Sequence, residues 1–236
     1  MAAAKSELYE KIKKENPNLH FGHYINADSI HQQLMKDRLL DCSTFGIPIS
    51  KKDCKRFFKT SGWEQKISEP KFFEPLQFAQ DKILLETTPS SYHAAVLSDY
   101  IRICLLKSRQ RFTFETVMSD YSKVDFMKKA ASDGFKVYLY YVATQDPLIN
   151  KKRVLQRVKA GGHGVPETKI VERYYRSLDL LLDATRVCYR AFYFDSTSGE
   201  FKYVADRDKY GFLTTAFEFP EWYKKYILDK ANIRLG

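Results

Sequence analysis

An apolar run, FKVYLYYVAT at 135–144, constrains the fold most, and a helical pattern that opens at Pro147 follows it directly. A near-continuous apolar run of this length suits a strand with both faces covered, as in a parallel sheet packed between helices. Proline is well tolerated in the first turn of a helix, because its missing N–H would have no intrahelical partner there. The segment therefore predicts a buried strand followed by a helix.

Strand and helix patterns alternate along most of the chain. We predict strands at 21–25, 111–116, 135–144 and 187–195, and helices over 27–40, 92–108, 122–133, 147–160 and from Pro166 to about 184. This alternation predicts an α/β fold of three layers, with a mostly parallel sheet flanked by helices. The tail differs, because FKYVAD and FLTTAFEF predict a hairpin and PEWYKKYILDK predicts a closing helix.

Composition limits the class of protein. The 236 residues are 44% hydrophobic and 29% charged, as in a globular chain, and we expect a single domain over 1–236. No stretch approaches the roughly 18 apolar residues of a membrane span, and the N-terminus lacks the apolar core of a secretion signal. We therefore expect a cytoplasmic protein without membrane association. The four cysteines have no zinc-binding spacing and are expected to be reduced thiols, most of them in the core.

Positive charge is concentrated around residues 145–176. This stretch holds eight basic and three acidic residues, in a chain whose net charge is +10. On the helix after Pro166, Lys169, Arg173 and Arg176 share a stripe about 60° wide, beside an apolar face. Two basic helices joined by the glycine-rich GGHG could close over an anion, although a solvated helix face is the simpler alternative. The charge favours an anionic partner, namely a nucleotide, a nucleic acid or an acidic protein.

The segment QRVKAGGHGVPETKIVERYYRSL at 156–178 resembles the signature of the zeta-toxin-like family of P-loop kinases, which carry an arginine-rich lid over the phosphates of ATP. YINADSI, SDYIRICLL, RFTFETVMS, FKVYLYYVATQDPLINKKRV and YRAFYFDST resemble further family segments in the same order, so that the likeness covers about 5–197. The resemblance implies a P-loop-NTPase-like fold with a helical lid at about 146–184 and a C-terminal extension at about 198–236.

The resemblance also implies roles for individual residues. Asp28 would be the base toward a substrate hydroxyl, although an N-cap role is the structural alternative. The remaining implied assignments are catalytic Arg157 and Arg173, ATP-binding Lys5, Ser6, Arg153 and Arg176, Mg²⁺-binding Ser6, and substrate-binding Glu115 and Thr116. His163 could reach a phosphate but more simply caps or spaces the turn.

One part of the family pattern is missing. P-loop kinases hold ATP with GxxxxGK[ST], in which glycine N–H groups and the lysine surround the phosphates and the hydroxyl binds Mg²⁺. Here only Lys5 and Ser6 match, with alanines in place of the glycine-rich turn and a helix directly after them. A start codon placed too far downstream, a trimmed and substituted chain, or a natural degenerate copy would each account for this. We expect ATP binding to be weakened, and a groove to be left that a strand of a partner could fill.

The leading hypothesis is thus an ATP-dependent phosphotransferase that acts on a hydroxyl of a small molecule or sugar nucleotide. The alternative is a non-catalytic protein that binds an acidic partner such as an antitoxin, and nucleic-acid binding is a weaker third. The segments IPISKKDCKRFF at 47–58 and EPKFFEPLQF at 69–78 are predicted to form a helical insert that could shape the acceptor site.

Overall fold

The structure is a computed structural model that describes residues 2–67, 71–159 and 164–233. In chain order the helices and strands are α1 (Ala2–Glu15), β1 (His23–Ile25), α2 (Ala27–Asp37), β2 (Leu39–Asp41), α3 (Lys51–Thr60), α4 (Trp63–Lys66), β3 (Leu76–Ala79), β4 (Lys82–Leu85), α5 (Ser91–Lys107), β5 (Phe112–Phe114), α6 (Ser122–Ser132), β6 (Tyr138–Ala143), α7 (Pro147–Lys159), α8 (Glu167–Asp179), α9 (Leu181–Val187), β7 (Arg190–Asp195), β8 (Lys202–Arg207), β9 (Leu213–Thr215) and α10 (Glu221–Tyr223). The strands and helices predicted from periodicity are present, so the α/β class is confirmed. The helix predicted over 27–40 is wrong at its end, because α2 stops at Asp37 and Leu39–Asp41 form β2.

The chain divides into two compact units, and we describe each by itself. One is the contiguous segment Pro17–Glu115, and the other combines Met1–Asn16 with Thr116–Gly236. Each unit has its own cluster of buried hydrophobic side chains. A single P-loop-kinase-like domain stays a prediction.

In the unit 17–115, β1 and β5 form a parallel pair, and β2, β4 and β3 form an antiparallel sheet. The prediction that 47–58 and 69–78 form a helical insert is confirmed at α3 but wrong at 76–78, which lie in β3. Strand β3 pairs with β4, in which exposed and buried residues alternate, with Ile83 and Leu85 inward and Lys82 and Leu84 outward. A period of two is the pattern of a strand with one covered face.

Helix α5 supplies much of the core of this unit. Leu97, Ile101 and Leu105, at four-residue spacing, are fully buried. Arg102 on the same helix is buried too, and burial lowers its pKa to about 9 because desolvation disfavours the charged form. Its guanidinium pairs with Asp99 and lies 4.2 Å from the ring centroid of Phe114, so charge and ring face both compensate the desolvation.

The second unit contains a four-stranded sheet with the order β6-β7-β8-β9, in which β6 and β7 are parallel and the other neighbours are antiparallel. Within the described residues, two of the six strand pairings are parallel, so the prediction of a mostly parallel sheet is wrong. Short connections explain this, because β7, β8 and β9 follow one another through turns, which can join only antiparallel strands.

Strand β6 forms an edge of this sheet in the described part of the chain. Tyr141 and Ala143 are buried, but Tyr138 keeps 49% of its surface exposed. The expectation that both faces of this strand are covered along its length is thus wrong at its first residue. An apolar run does not distinguish a central strand from an edge strand, because both bury alternate side chains on at least one face.

The C-terminal hairpin and closing helix are confirmed. β8 and β9 pair in antiparallel fashion, and α10 continues into a π-helical turn at Lys224–Asp229. Trp222 and Tyr223 are buried, and the indole Nε1 of Trp222 donates a hydrogen bond of 2.8 Å to the Asp195 carboxylate. This contact ties the helix to the C-terminal end of β7. None of the described helices is both long and apolar enough to cross a membrane.

Candidate functional site

In the unit 17–115, the first group of candidate side chains follows the parallel strands β1 and β5. Ile25 pairs with Phe114, and the Glu115 N–H donates a hydrogen bond of 3.2 Å to the Ile25 carbonyl. Asn26 and Glu115 therefore leave the two strands at the same edge. The carboxyl ends of parallel strands are where open α/β sheets bind ligands.

Asn26, not Asp28, caps helix α2. The Asn26 Oδ1 accepts hydrogen bonds from the N–H groups of Asp28 at 2.8 Å and Ser29 at 3.4 Å. The alternative that Asp28 is the N-cap is therefore wrong, since Asp28 lies in the first helical turn. Its carboxylate is exposed and forms no hydrogen bond or ion pair with any described residue. A carboxylate without a partner among the described residues is available to a bound ligand.

A hydrogen-bonded chain of side chains holds Glu115. The Tyr24 hydroxyl donates to the Glu115 carboxylate, and the Asn26 amide donates to the Tyr24 oxygen at 3.4 Å. Glu115 is half-buried, so it is more than a surface charge. Sequence reasoning missed Tyr24 and Asn26, although an asparagine directly before a helical pattern is an N-cap signal. Thr116 follows, and its Oγ1 accepts a hydrogen bond of 3.0 Å from the Met118 N–H, which is a local turn contact.

In the second unit, Arg153 of helix α7 binds the C-terminal end of β7. Its Nη1 donates a hydrogen bond of 3.0 Å to the Ser196 hydroxyl, and its Nη2 donates to the Ser196 carbonyl. The Ser196 N–H in turn donates to the Ala143 carbonyl at 2.8 Å. Arg153 is thus held at the edge where β6 and β7 end.

A small cavity of about 20 Å³ lies at this edge, with Lys5 and Arg153 both in its lining. Leu8 and Ile12 are buried, so they anchor helix α1. The structure thereby brings together two of the residues predicted to bind ATP. The cavity has room for about one water molecule.

Asn150 also lines the cavity, and sequence reasoning missed it. It is 2% exposed, and its Nδ2 donates a hydrogen bond of 3.0 Å to the Thr144 hydroxyl, which donates to the Asp146 carbonyl. Its Oδ1 has no partner in the described residues. A buried acceptor left without a donor is unfavourable, so a donor such as a water molecule is expected to complete this site. No sequence signal marks Asn150, because it lies within a helical pattern.

Lys5 and Ser6 lie inside helix α1, which already begins at Ala2, so the expectation of a helix only after them is wrong. Lys5 and Arg153 fit a phosphate group in charge, but a cavity of about 20 Å³ does not hold the phosphates of ATP in this geometry. For Mg²⁺ the fit is poorer. Ser6 offers one hydroxyl, and among the described residues no three His, Cys, Asp or Glu side chains form a metal-binding group.

The predicted lid corresponds to helices α7 and α8. On α8 the predicted packing face is confirmed, because Ile170, Tyr174 and Leu178 are buried. The Tyr174 hydroxyl donates a hydrogen bond of 2.7 Å to the Thr144 carbonyl, which fastens α8 to the end of β6. The hinge residues Gly161 and Gly162, and His163 beside them, lie outside the described residues.

Ion pairs neutralise part of the basic surface of these helices. Lys151 pairs with Glu167 at 3.0 Å, and Arg176 pairs with Glu172 at 3.7 Å. Both glutamates near the hinge therefore form ion pairs with basic residues of the two helices. The Arg176 pair is exposed, and such pairs contribute little to stability. Arg157 and Arg173 are half-buried. The arginines belong to the second unit, whereas Asp28 and Glu115 belong to the first.

Comparisons with known proteins give one curated relative, an uncharacterized protein of Haemophilus influenzae (strain ATCC 51907 / DSM 11121 / KW20 / Rd). The two sequences are 36% identical over 69 residues, which is 29% of this chain. The matched region covers 49% of the relative, so the chain spans about half the length of that protein. No protein-family model matches the sequence, and no solved structure matches it.

Proposed function

We propose that the protein is an ATP-dependent phosphotransferase whose acceptor is a hydroxyl of a small molecule or sugar nucleotide. The observation that supports this most is the shared cavity of Lys5 and Arg153 at the C-terminal edge of the parallel strands β6 and β7. Two cations at such an edge suit an anionic ligand. ATP would supply the phosphoryl group, and Lys5 and Arg153 would neutralise phosphate oxygens.

The side chains after β1 and β5 suit the acceptor. The exposed Asp28 carboxylate is free to take the proton of a hydroxyl, as a general base does. Glu115, held by Tyr24, would accept a hydrogen bond from the substrate and orient it. Because the cavity beside Lys5 has room for about one water molecule, phosphate binding in this proposal requires it to widen.

Calorimetry with ATP and Mg²⁺ tests the phosphate part of the proposal. We expect millimolar or tighter binding by the wild-type chain, and a loss of about tenfold for Lys5→Ala and for Arg153→Ala, because each removes one phosphate contact of about 1.4 kcal/mol. Lys11→Ala is the matched control, since Lys11 lies on the same helix and pairs with Glu15 at 3.9 Å. Equal effects in all three variants, or no heat with the wild type, would contradict the proposal.

A second experiment separates catalysis from binding. Asp28→Asn should lower the turnover of any phosphate-accepting substrate by about a hundredfold or more while ATP affinity stays unchanged, because a general base acts in the chemical step. Asp37→Asn is the control, since Asp37 lies at the other end of α2. Unchanged turnover in Asp28→Asn would remove Asp28 from the mechanism.

A second candidate function is binding of an acidic protein, such as an antitoxin, without catalysis. It is favoured by basic side chains that have no carboxylate partner among the described residues, in a chain of net charge +10. Their clearest concentration is on helix α3.

A further inference from the structure

A groove of about 390 Å³ runs along helix α3 in the unit 17–115. Its volume lies within the range of about 300–1,000 Å³ typical of binding sites. Helix α3 forms one wall, and residues 71–74 contribute to the other. Nothing in the phosphotransferase proposal uses this groove.

Three lysines follow the helical wall. Lys51, Lys55 and Lys59 are four residues apart, so they lie on one side of the helix, about 6 Å apart along its axis and about 12 Å in total. None of the three forms an ion pair or hydrogen bond with another described residue. Arg56 on the same helix differs, because it pairs with Asp53 at 2.7 Å. The positive charge of the lysine row is thus left for a partner.

The floor of the groove is aromatic and preformed. Phe58, Phe72 and Phe73 are buried and pack on one another, with ring centroids 4.9–5.3 Å apart. Phe72 also stacks on His93 at 4.6 Å. Because these rings are already packed in place, a ligand that binds in the groove does not have to order them, and the entropy cost of binding is smaller.

Acidic side chains also line the groove, and they limit where the negative charges of a ligand can lie. Glu64 and Glu74 are part of the groove, and Glu74 lies 3.8 Å from Lys71. Both carboxylates repel any anion beside them, so the negative charges of a partner must lie along the lysine row and away from Glu64 and Glu74. A row of about 12 Å is also longer than one phosphate or diphosphate group. Carboxylates spaced about 6–7 Å apart match the row, as on alternate residues of an extended peptide.

We propose that this groove binds an acidic peptide segment of a partner protein, with its carboxylates on Lys51, Lys55 and Lys59 and its intervening apolar side chains toward the phenylalanine floor. The inference deepens the second function proposed above by naming its surface and the chemistry of its partner. It does not depend on phosphoryl transfer.

Fluorescence anisotropy with the full chain tests the proposal. The probe is a labelled peptide in which three glutamates alternate with leucines, and its counterpart carries glutamines in their place. We expect the glutamate peptide to bind at least about tenfold more tightly, and Lys55→Glu and Lys59→Glu each to weaken it about tenfold, because an attraction becomes a repulsion. Lys52→Glu should change binding by no more than about twofold, since Lys52 is exposed on the same helix outside the groove.

Several outcomes would overturn this inference. Equal losses in Lys52→Glu and Lys55→Glu would mean diffuse attraction to a basic surface, and equal affinity for the glutamine peptide would remove the role of charge. Tighter binding of tripolyphosphate or oligothymidylate at the same groove would mean a different anion. Calorimetry of ATP with the Lys55→Glu variant keeps the two proposals apart, because ATP binding should be unchanged there.

Discussion

At the scale of single residues, burial determines the chemistry of the thiols. Cys42, Cys54, Cys104 and Cys188 are all buried and form no disulfide. Burial raises the pKa of Cys42 and of Cys188 to about 12, because a thiolate is poorly solvated in an apolar interior. Burial likewise raises the pKa of Cys54 and Cys104. The prediction that most of the thiols lie in the core is thus confirmed.

These pKa shifts predict slow reaction of the native protein with thiol reagents. A thiol whose pKa rises from 9.0 to about 12 has about a thousandfold less thiolate at pH 8. We expect the four thiols to react slowly with Ellman's reagent in buffer at pH 8 and at once in 6 M guanidinium chloride. Fast reaction of the folded chain would mean that at least one thiol is accessible and ionised.

The capping of helix α2 by Asn26 is a second feature at this scale. The family resemblance implied a role for Asp28 only, and the structure shows that Asn26, two residues before it, accepts the N–H groups of the first helical turn. Which side chain caps the helix could not be predicted from letters, because Asn26 and Asp28 are both good N-caps and the helix start decides between them.

At the scale of elements, the pairing of β1 with β5 requires a glycine at its start. Gly22 has φ of +68°, and a Cβ added there would lie 2.0 Å from the Arg111 carbonyl oxygen. The same carbonyl accepts a hydrogen bond of 3.0 Å from the His23 N–H. The two strands can therefore approach only while residue 22 lacks a side chain.

We expect Gly22→Ala to destabilise the fold by at least about 3 kcal/mol, because the new methyl group meets backbone that cannot move without breaking the pair. Gly46→Ala is the matched control. Gly46 also has a positive φ of +57° but no heavy atom within 4 Å of the added Cβ, so about 1–2 kcal/mol of backbone strain is expected. Urea unfolding of both variants gives the comparison, and equal losses would contradict the close approach at Gly22.

Helices α7 and α8 illustrate what periodicity can and cannot predict. The packing face of α8 followed from its spacing, because a helix buries positions three and four apart. Arg153 was predicted to be one of several basic residues facing a ligand. Its contact with Ser196 could not be predicted, since the two residues are 43 positions apart and meet only through the sheet.

At the scale of the whole molecule, the described residues form two clusters of buried hydrophobic side chains. The segment Pro17–Glu115 is contiguous and contains one complete cluster, built around α5. The segment has the length of an ordinary domain. Chains of about 100 residues bury a large enough fraction of their surface to fold alone.

The segment Pro17–Glu115 should therefore fold when expressed alone. We expect one cooperative urea transition, detected by circular dichroism, with a slope of about 1–2 kcal/mol/M. The same fragment with Ile101→Asp should lose the transition, because Ile101 is fully buried and an unpaired charge cannot be accommodated there. A gradual, non-cooperative change in the unsubstituted fragment would mean that its core needs the rest of the chain.

The sequence by itself determined the kind and order of most elements, because period-two and period-3.6 patterns, caps and turns are local. The apolar run at 135–144 predicted a strand in this way, and the tail predicted its hairpin. Only the tertiary structure decided which strands are neighbours, that β6 lies at an edge, that β3 and β4 form a hairpin after the predicted helical insert, and that Lys5 shares a cavity with Arg153. These depend on contacts between residues far apart in the chain, and hydrophobic pattern alone is equally compatible with several such pairings.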